Sequence, residues 1–199
     1  GKNWLLPNGS YDQTRHHPAA RINTGNVSKL RPAFVFQTGI VESMETAPIV
    51  VDGVMFVTTS YNHVYAINAV TGEQYWHYKH KIGPVSTYCC GPNNRGVAVE
   101  GGKLFMGTLD ARLVALDAKT GKERWHKTIA PFEEQYFSTP APIIVGNHVL
   151  VGTGNDLDEP GILQSFDPET GSVQWKFYSV PMQKGDPGLE TWKSLDAAR

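Results

Sequence analysis

The sequence predicts an all-β fold, a β-propeller of four-stranded antiparallel blades with about three blades present in an incomplete ring. Three observations predict it. One motif recurs at a fixed period, each period carries short strand-like apolar runs between turn signals, and apolar spacing of helical period is absent.

The motif reads Ala66-Ile67-Asn68-Ala69-Val70-Thr71-Gly72 with Trp76, then Ala115-Leu116-Asp117-Ala118-Lys119-Thr120-Gly121 with Trp125. A third copy is Ser165-Phe166-Asp167-Pro168-Glu169-Thr170-Gly171 with Trp175. The tryptophans follow one another at 49 and 50 residues, a spacing that belongs to propellers and other repeat arrays.

Each period opens on a hairpin. Asp52-Gly53 joins the apolar runs 48–51 and 54–57, Gly101-Gly102 joins 97–100 and 103–106, and Gly146-Asn147 joins 143–145 and 148–151. A third strand follows at 64–68, 113–117 and 162–167, and a fourth carries the tryptophan beyond the Thr-Gly turn. The blades therefore span about 41–80, 94–128 and 139–178 of a partial propeller domain covering 1–199, behind an N-terminal segment 1–40 with an opening strand near 31–38. Each indole is expected to lie against the neighbouring blade and donate its N–H to a carbonyl there. The tryptophans explain the fold and not the chemistry.

Composition narrows the function. Hydrophobic residues make up 40% of the 199, enough to bury a core and too many for a disordered chain. A net charge of −1 gives no broad attraction to nucleic acid or to an anionic membrane. The 20 glycines and 13 prolines suit a chain with many turns. No apolar run approaches the ~20 residues of a membrane-spanning helix, and the start at Gly1-Lys2-Asn3-Trp4 has no basic-then-apolar signal segment. Gly-x-Ser-x-Gly, P-loop and Gly-x-Gly-x-x-Gly motifs are missing, so hydrolase, NTPase and nicotinamide readings have no support. His77 and His80 lack a third ligand and read as a surface loop, and His16-His17 reads as solvated.

Several stretches carry a more specific signal. They are the three tryptophan units, the opening Trp4, Asn8-Gly9-Ser10-Tyr11 and Arg15, the run Cys89-Cys90-Gly91-Pro92-Asn93-Asn94-Arg95-Gly96, and Gly185-Asp186-Pro187-Gly188 through Trp192. Together they resemble the PQQ-dependent (quinoprotein) alcohol dehydrogenases over essentially the whole chain, as an N-terminal part of the propeller. The cysteine pair followed by Arg95 discriminates most, because similar tryptophan units occur in non-enzymatic propellers.

The resemblance implies a pyrroloquinoline quinone (PQQ) site. It implies that Cys89 and Cys90 are bridged and pack on one face of the quinone. Neighbouring Cα atoms are ~3.8 Å apart, below the ~5.5–6 Å of a relaxed disulfide, so such a ring is strained and suggests a functional surface. It also implies an oxidising compartment, in a bacterium the periplasm. Arg95 matches the family's cofactor-contacting arginine, Thr139 and Thr153 match hydroxyl donors, and Glu45 matches a glutamate near the cofactor's acid groups.

The loop Gly154-Asn155-Asp156-Leu157-Asp158-Glu159-Pro160-Gly161 has the oxygen ligands that Ca²⁺ or a lanthanide takes. The resemblance implies that Asp156 stands at the family's metal-ligand position, with an aspartate where the family has a glutamate, and that Asp158 is the fallback. As the family works, a small alcohol gives a proton to an aspartate base, expected beyond residue 199, and a hydride to the quinone. Electrons leave to a cytochrome c or the quinone pool. The competing reading is a non-catalytic propeller that binds protein partners, such as an outer-membrane assembly factor.

Overall fold

A computed structural model describes residues 3–83, 91–155 and 159–198. Among them twelve strands form three four-stranded antiparallel sheets, each in chain order. Blade 1 holds β1 (Ile49–Val51), β2 (Val54–Thr59), β3 (His63–Asn68) and β4 (Gln74–Lys79). Blade 2 holds β5 (Ala98–Glu100), β6 (Lys103–Gly107), β7 (Arg112–Asp117) and β8 (Glu123–Thr128). Blade 3 holds β9 (Ile143–Val145), β10 (His148–Thr153), β11 (Ile162–Phe166) and β12 (Val173–Tyr178).

Local chemistry sets the register. Val51 pairs with Val54 across Asp52 and Gly53, whose φ angles of 49° and 81° are the left-handed pair that a two-residue hairpin needs. At the matching end of blade 2, beside the Gly101-Gly102 turn, Asp117 Oδ1 accepts the backbone N–H groups of Lys119 and Thr120 and the Thr120 hydroxyl. Arg124 and then Thr120 hold the Asp117 carboxyl down to about 2. Asp167 repeats the turn with Glu169 and Thr170.

Successive residues of the middle strands point to opposite faces, and in blades 1 and 2 both faces are covered. Phe56, Val64 and Ala66 of blade 1 meet Leu104, Met106 and Val114 of blade 2. Phe105, Leu113 and Ala115, one residue out of phase, meet Val149, Val151 and Phe166 of blade 3. This is why 104–106 is an unbroken apolar run. The far face of blade 1 packs Tyr65 and Ile67 on Phe34 and Phe36 of the N-terminal segment. Trp4 of that segment forms a bridge to Val50 on the free edge of β1.

The docking glycines are required sterically. A Cβ on Gly121, at φ 70°, would lie 2.6 Å from the Trp76 ring, and one on Gly171 would lie 2.9 Å from the Trp125 ring. Phe34 covers Gly72 in the same way, so an N-terminal phenylalanine takes the place that a docking tryptophan takes elsewhere. The indoles do not all follow the expectation. Trp76 donates to the Ala118 carbonyl at 3.2 Å. Among the described residues Trp125 Nε1 is buried without a partner, and Trp175 stays 40% exposed, with none of the three blades over it.

Gly121→Ala is expected to destabilise the fold by about 2–5 kcal/mol. That is the sum of the left-handed backbone cost of ~1–2 kcal/mol and the ~1–3 kcal/mol of overpacking. Gly146→Ala is the control, with a φ of 55° and nothing within 4 Å of its Cβ position. Chemical denaturation of both variants checks this, and equal losses would contradict a steric role for the docking glycine.

Candidate cofactor-binding site

The segments leading into the first strand of each blade meet at one end of the sheets. Glu45 precedes β1, Arg95 precedes β5 and Thr139 precedes β9, so each blade supplies one residue. Arg95 Nη2 lies 2.8 Å from Glu45 Oε2, and Nη1 donates to Thr139 Oγ1 at 2.5 Å. The Arg95 backbone N–H also donates to the Thr139 carbonyl at 2.9 Å. Gly96 permits this approach. At φ 131°, its Cβ position lies 3.5 Å from both the Ala47 carbonyl and the Ala141 side chain.

The Arg95 and Glu45 side chains are 47% and 42% exposed, so the guanidinium is open to solvent. An ion pair that exposed contributes only ~0–1 kcal/mol to folding. Its consequence is orientation: two of the three guanidinium nitrogens are held, and the head group remains reachable.

Two buried amides support Arg95, and sequence reasoning assigned them no role. Asn93 and Asn94 are 2% and 1% exposed. The Ser43 hydroxyl donates to Asn93 Oδ1 at 2.8 Å. Asn94 Nδ2 donates to the Gly107 carbonyl at 2.9 Å and to Asn62 Oδ1 at 3.0 Å, while its Oδ1 accepts from the Gly96 N–H. An Asn-Asn pair after Gly-Pro reads as a solvated turn, so only its position beside Arg95 could have signalled this role.

Thr153 ends β10 and is 9% exposed, with its hydroxyl donating to the Phe137 carbonyl. A donor role toward a ligand requires that bond to be exchanged. Cys89, Cys90, Asp156 and Asp158 lie outside the described residues. Among the described residues no group of three or more His, Cys, Asp or Glu could hold a metal ion. No helix among them is long and apolar enough to cross a membrane.

The surface-loop reading of His77 and His80 is corrected. His77 belongs to β4, stacks on Tyr65 at 4.2 Å between ring centroids and lies 2.8 Å from His63 Nδ1. Burial, then His77 and Lys79, lowers the His63 imidazole to about 4. His80 falls one residue past β4, beneath the β6–β7 turn of blade 2, and is 8% exposed. Its Nε2 lies 2.8 Å from Asp110 Oδ1.

Blades docked ring-on-glycine define a tryptophan-docked β-propeller, three blades of which lie among the described residues. Residues 4–198 match the family model described as PQQ: glucose/ethanol/alcohol dehydrogenase, beta-propeller domain, and the chain belongs to that family. It is 36% identical over 192 residues to the quinohemoprotein alcohol dehydrogenase ADH IIB of Pseudomonas putida, a match covering 95% of the chain and 27% of that protein. The chain thus spans about a quarter of that relative's length.

Among solved structures it is similar to a europium-containing methanol dehydrogenase, with a TM-score of 0.83 and 37% identity over 90% of this chain and 32% of the other. BamB from Moraxella catarrhalis shares the fold alone, with a TM-score of 0.54 and 17% identity over 69% of this chain and 41% of that one.

Proposed function

We propose that the protein containing this chain is a PQQ-dependent alcohol dehydrogenase and that the exposed head group of Arg95 holds the cofactor's carboxylates. The observation that carries this is a guanidinium oriented by Glu45 and Thr139 from two other blades yet still half exposed. That donor set fits a polycarboxylate. Arginine offers planar, paired donors to a carboxylate, and the Thr139 hydroxyl is free to turn its own proton outward while it accepts from Arg95. Glu45 balances the guanidinium charge, and a cofactor carboxyl beside it needs a shared proton or a donor between the two acids.

Thr153, a Cys89–Cys90 ring, and Asp156 or Asp158 complete the reading, with Ca²⁺ or a lanthanide as the cation. Held there, the quinone would supply a two-electron acceptor for an alcohol C–H bond, and the cation would supply a Lewis acid. This chain's residues hold and orient the cofactor. Relatives named quinohemoprotein and quinone-linked dehydrogenases support a cytochrome c or the quinone pool as acceptor, and a periplasmic site.

The full-length gene product, supplied with PQQ and either Ca²⁺ or a lanthanide, is expected to reduce an artificial electron acceptor with primary or secondary alcohols. No reduction across a broad alcohol panel would overturn this reading and favour a non-catalytic propeller.

A further inference from the structure

Arg95 is also reached by a line of hydrogen bonds that begins at a buried pair between blades 1 and 2. His80 Nε2 and Asp110 Oδ1 lie 2.8 Å apart, and the two residues are 8% and 5% exposed. Asp110 Oδ1 also accepts the Thr108 hydroxyl at 2.6 Å, and Oδ2 lies 3.3 Å from Arg112 Nε. Burial pushes the Asp110 carboxyl up, but the bonds from His80 and Thr108 outweigh it and hold it below the usual carboxylate range. The Thr108 carbonyl accepts the Ser138 N–H at 3.0 Å. Gly107 packs so closely there that a Cβ would lie 2.5 Å from Ser138 Oγ. Ser138 is joined to Thr139, whose carbonyl and hydroxyl both bind Arg95.

Packing does not require a hydrogen-bonded polar pair at this place. Ile129 is the first residue past β8, as His80 is the first past β4, and it is buried to 4%. Both donate their backbone N–H to the turn of their own blade, His80 to the Asn62 carbonyl and Ile129 to the Ala111 carbonyl. The junction of blades 2 and 3 is therefore closed there by an aliphatic side chain. A buried polar pair rarely stabilises a fold more than apolar packing of the same volume.

We propose that His80 and Asp110 are positioning residues for Arg95, fixing the 107–112 turn so that Ser138 and Thr139 hold the guanidinium in place. In its effect on cofactor binding this rests on the reading of Arg95 given above.

The test uses full-length protein with His80→Ile, Asp110→Ala and His80→Gln, the last retaining a donor near Nε2. Native-state hydrogen exchange of the Ser138 and Arg95 amides is expected to quicken about tenfold in the first two variants, with Leu116 in β7 unchanged, and to recover in His80→Gln. The quinone dissociation constant is expected to rise by roughly tenfold, the scale seen for supporting hydrogen bonds around bound groups, with the alcohol KM unchanged. Unaltered exchange at Ser138 and Arg95, or acceleration spread evenly through blade 2, would overturn the proposal. Arg95→Leu separates the two claims. If it binds quinone normally the cofactor reading fails, while the exchange data still decide the positioning claim.

Discussion

Arg95→Leu in the full-length protein is expected to weaken quinone binding by about 30- to 1000-fold. Removing one partner of a desolvated, hydrogen-bonded charge pair costs ~2–4 kcal/mol or more, with tenfold in affinity for every ~1.4 kcal/mol. The free protein should hardly notice, because the Arg95–Glu45 pair is nearly half exposed and contributes ~0–1 kcal/mol at most. Arg95→Lys should recover only part of the loss, since one ammonium cannot serve Glu45, Thr139 and a carboxylate in one plane. Fluorescence titration with PQQ, alongside thermal denaturation, measures both quantities. Wild-type affinity in a folded Arg95→Leu variant would remove Arg95 from the cofactor site.

Residues 1–199 expressed alone are expected to associate in solution. Blade 3 covers blade 2 with one face, and its other face leaves Leu163 41%, Trp175 40% and Phe177 58% exposed. Burying one large apolar side chain contributes ~1.5–3 kcal/mol, and a contiguous patch of this kind marks an interface or an aggregation hazard. Leu163→Lys together with Phe177→Lys should yield a monomer while leaving the cluster between blades 2 and 3 intact. Sedimentation velocity decides it. A monodisperse monomer of the unsubstituted segment would show that this face tolerates water.

Local rules carried the sequence reading far. Hairpins at Asp52-Gly53 and Gly101-Gly102, and the Asp-x-x-Thr-Gly turns, form from residues adjacent in the chain, so their positions could be read before any fold was known. Resemblance singled out Glu45, Arg95 and Thr139, and these three lie together in the structure. One feature was misjudged and another missed for one reason. His80 read as a surface-loop residue, and Asn93 and Asn94 were given no role, because what buries His80 and Asn94 is a turn or strand end of the next blade.

The sequence by itself determined the blade repeat, the strand order within each blade and the family, because each depends on contacts within one period of about fifty residues. Only the tertiary structure decided which residues of different blades touch. It placed Phe34 over Gly72, left Trp175 uncovered, and put Arg95 between Glu45 and Thr139 with the His80–Asp110 pair behind it. Those contacts arise from packing one blade face on the next, where a partner is set by shape and register and not by distance along the chain.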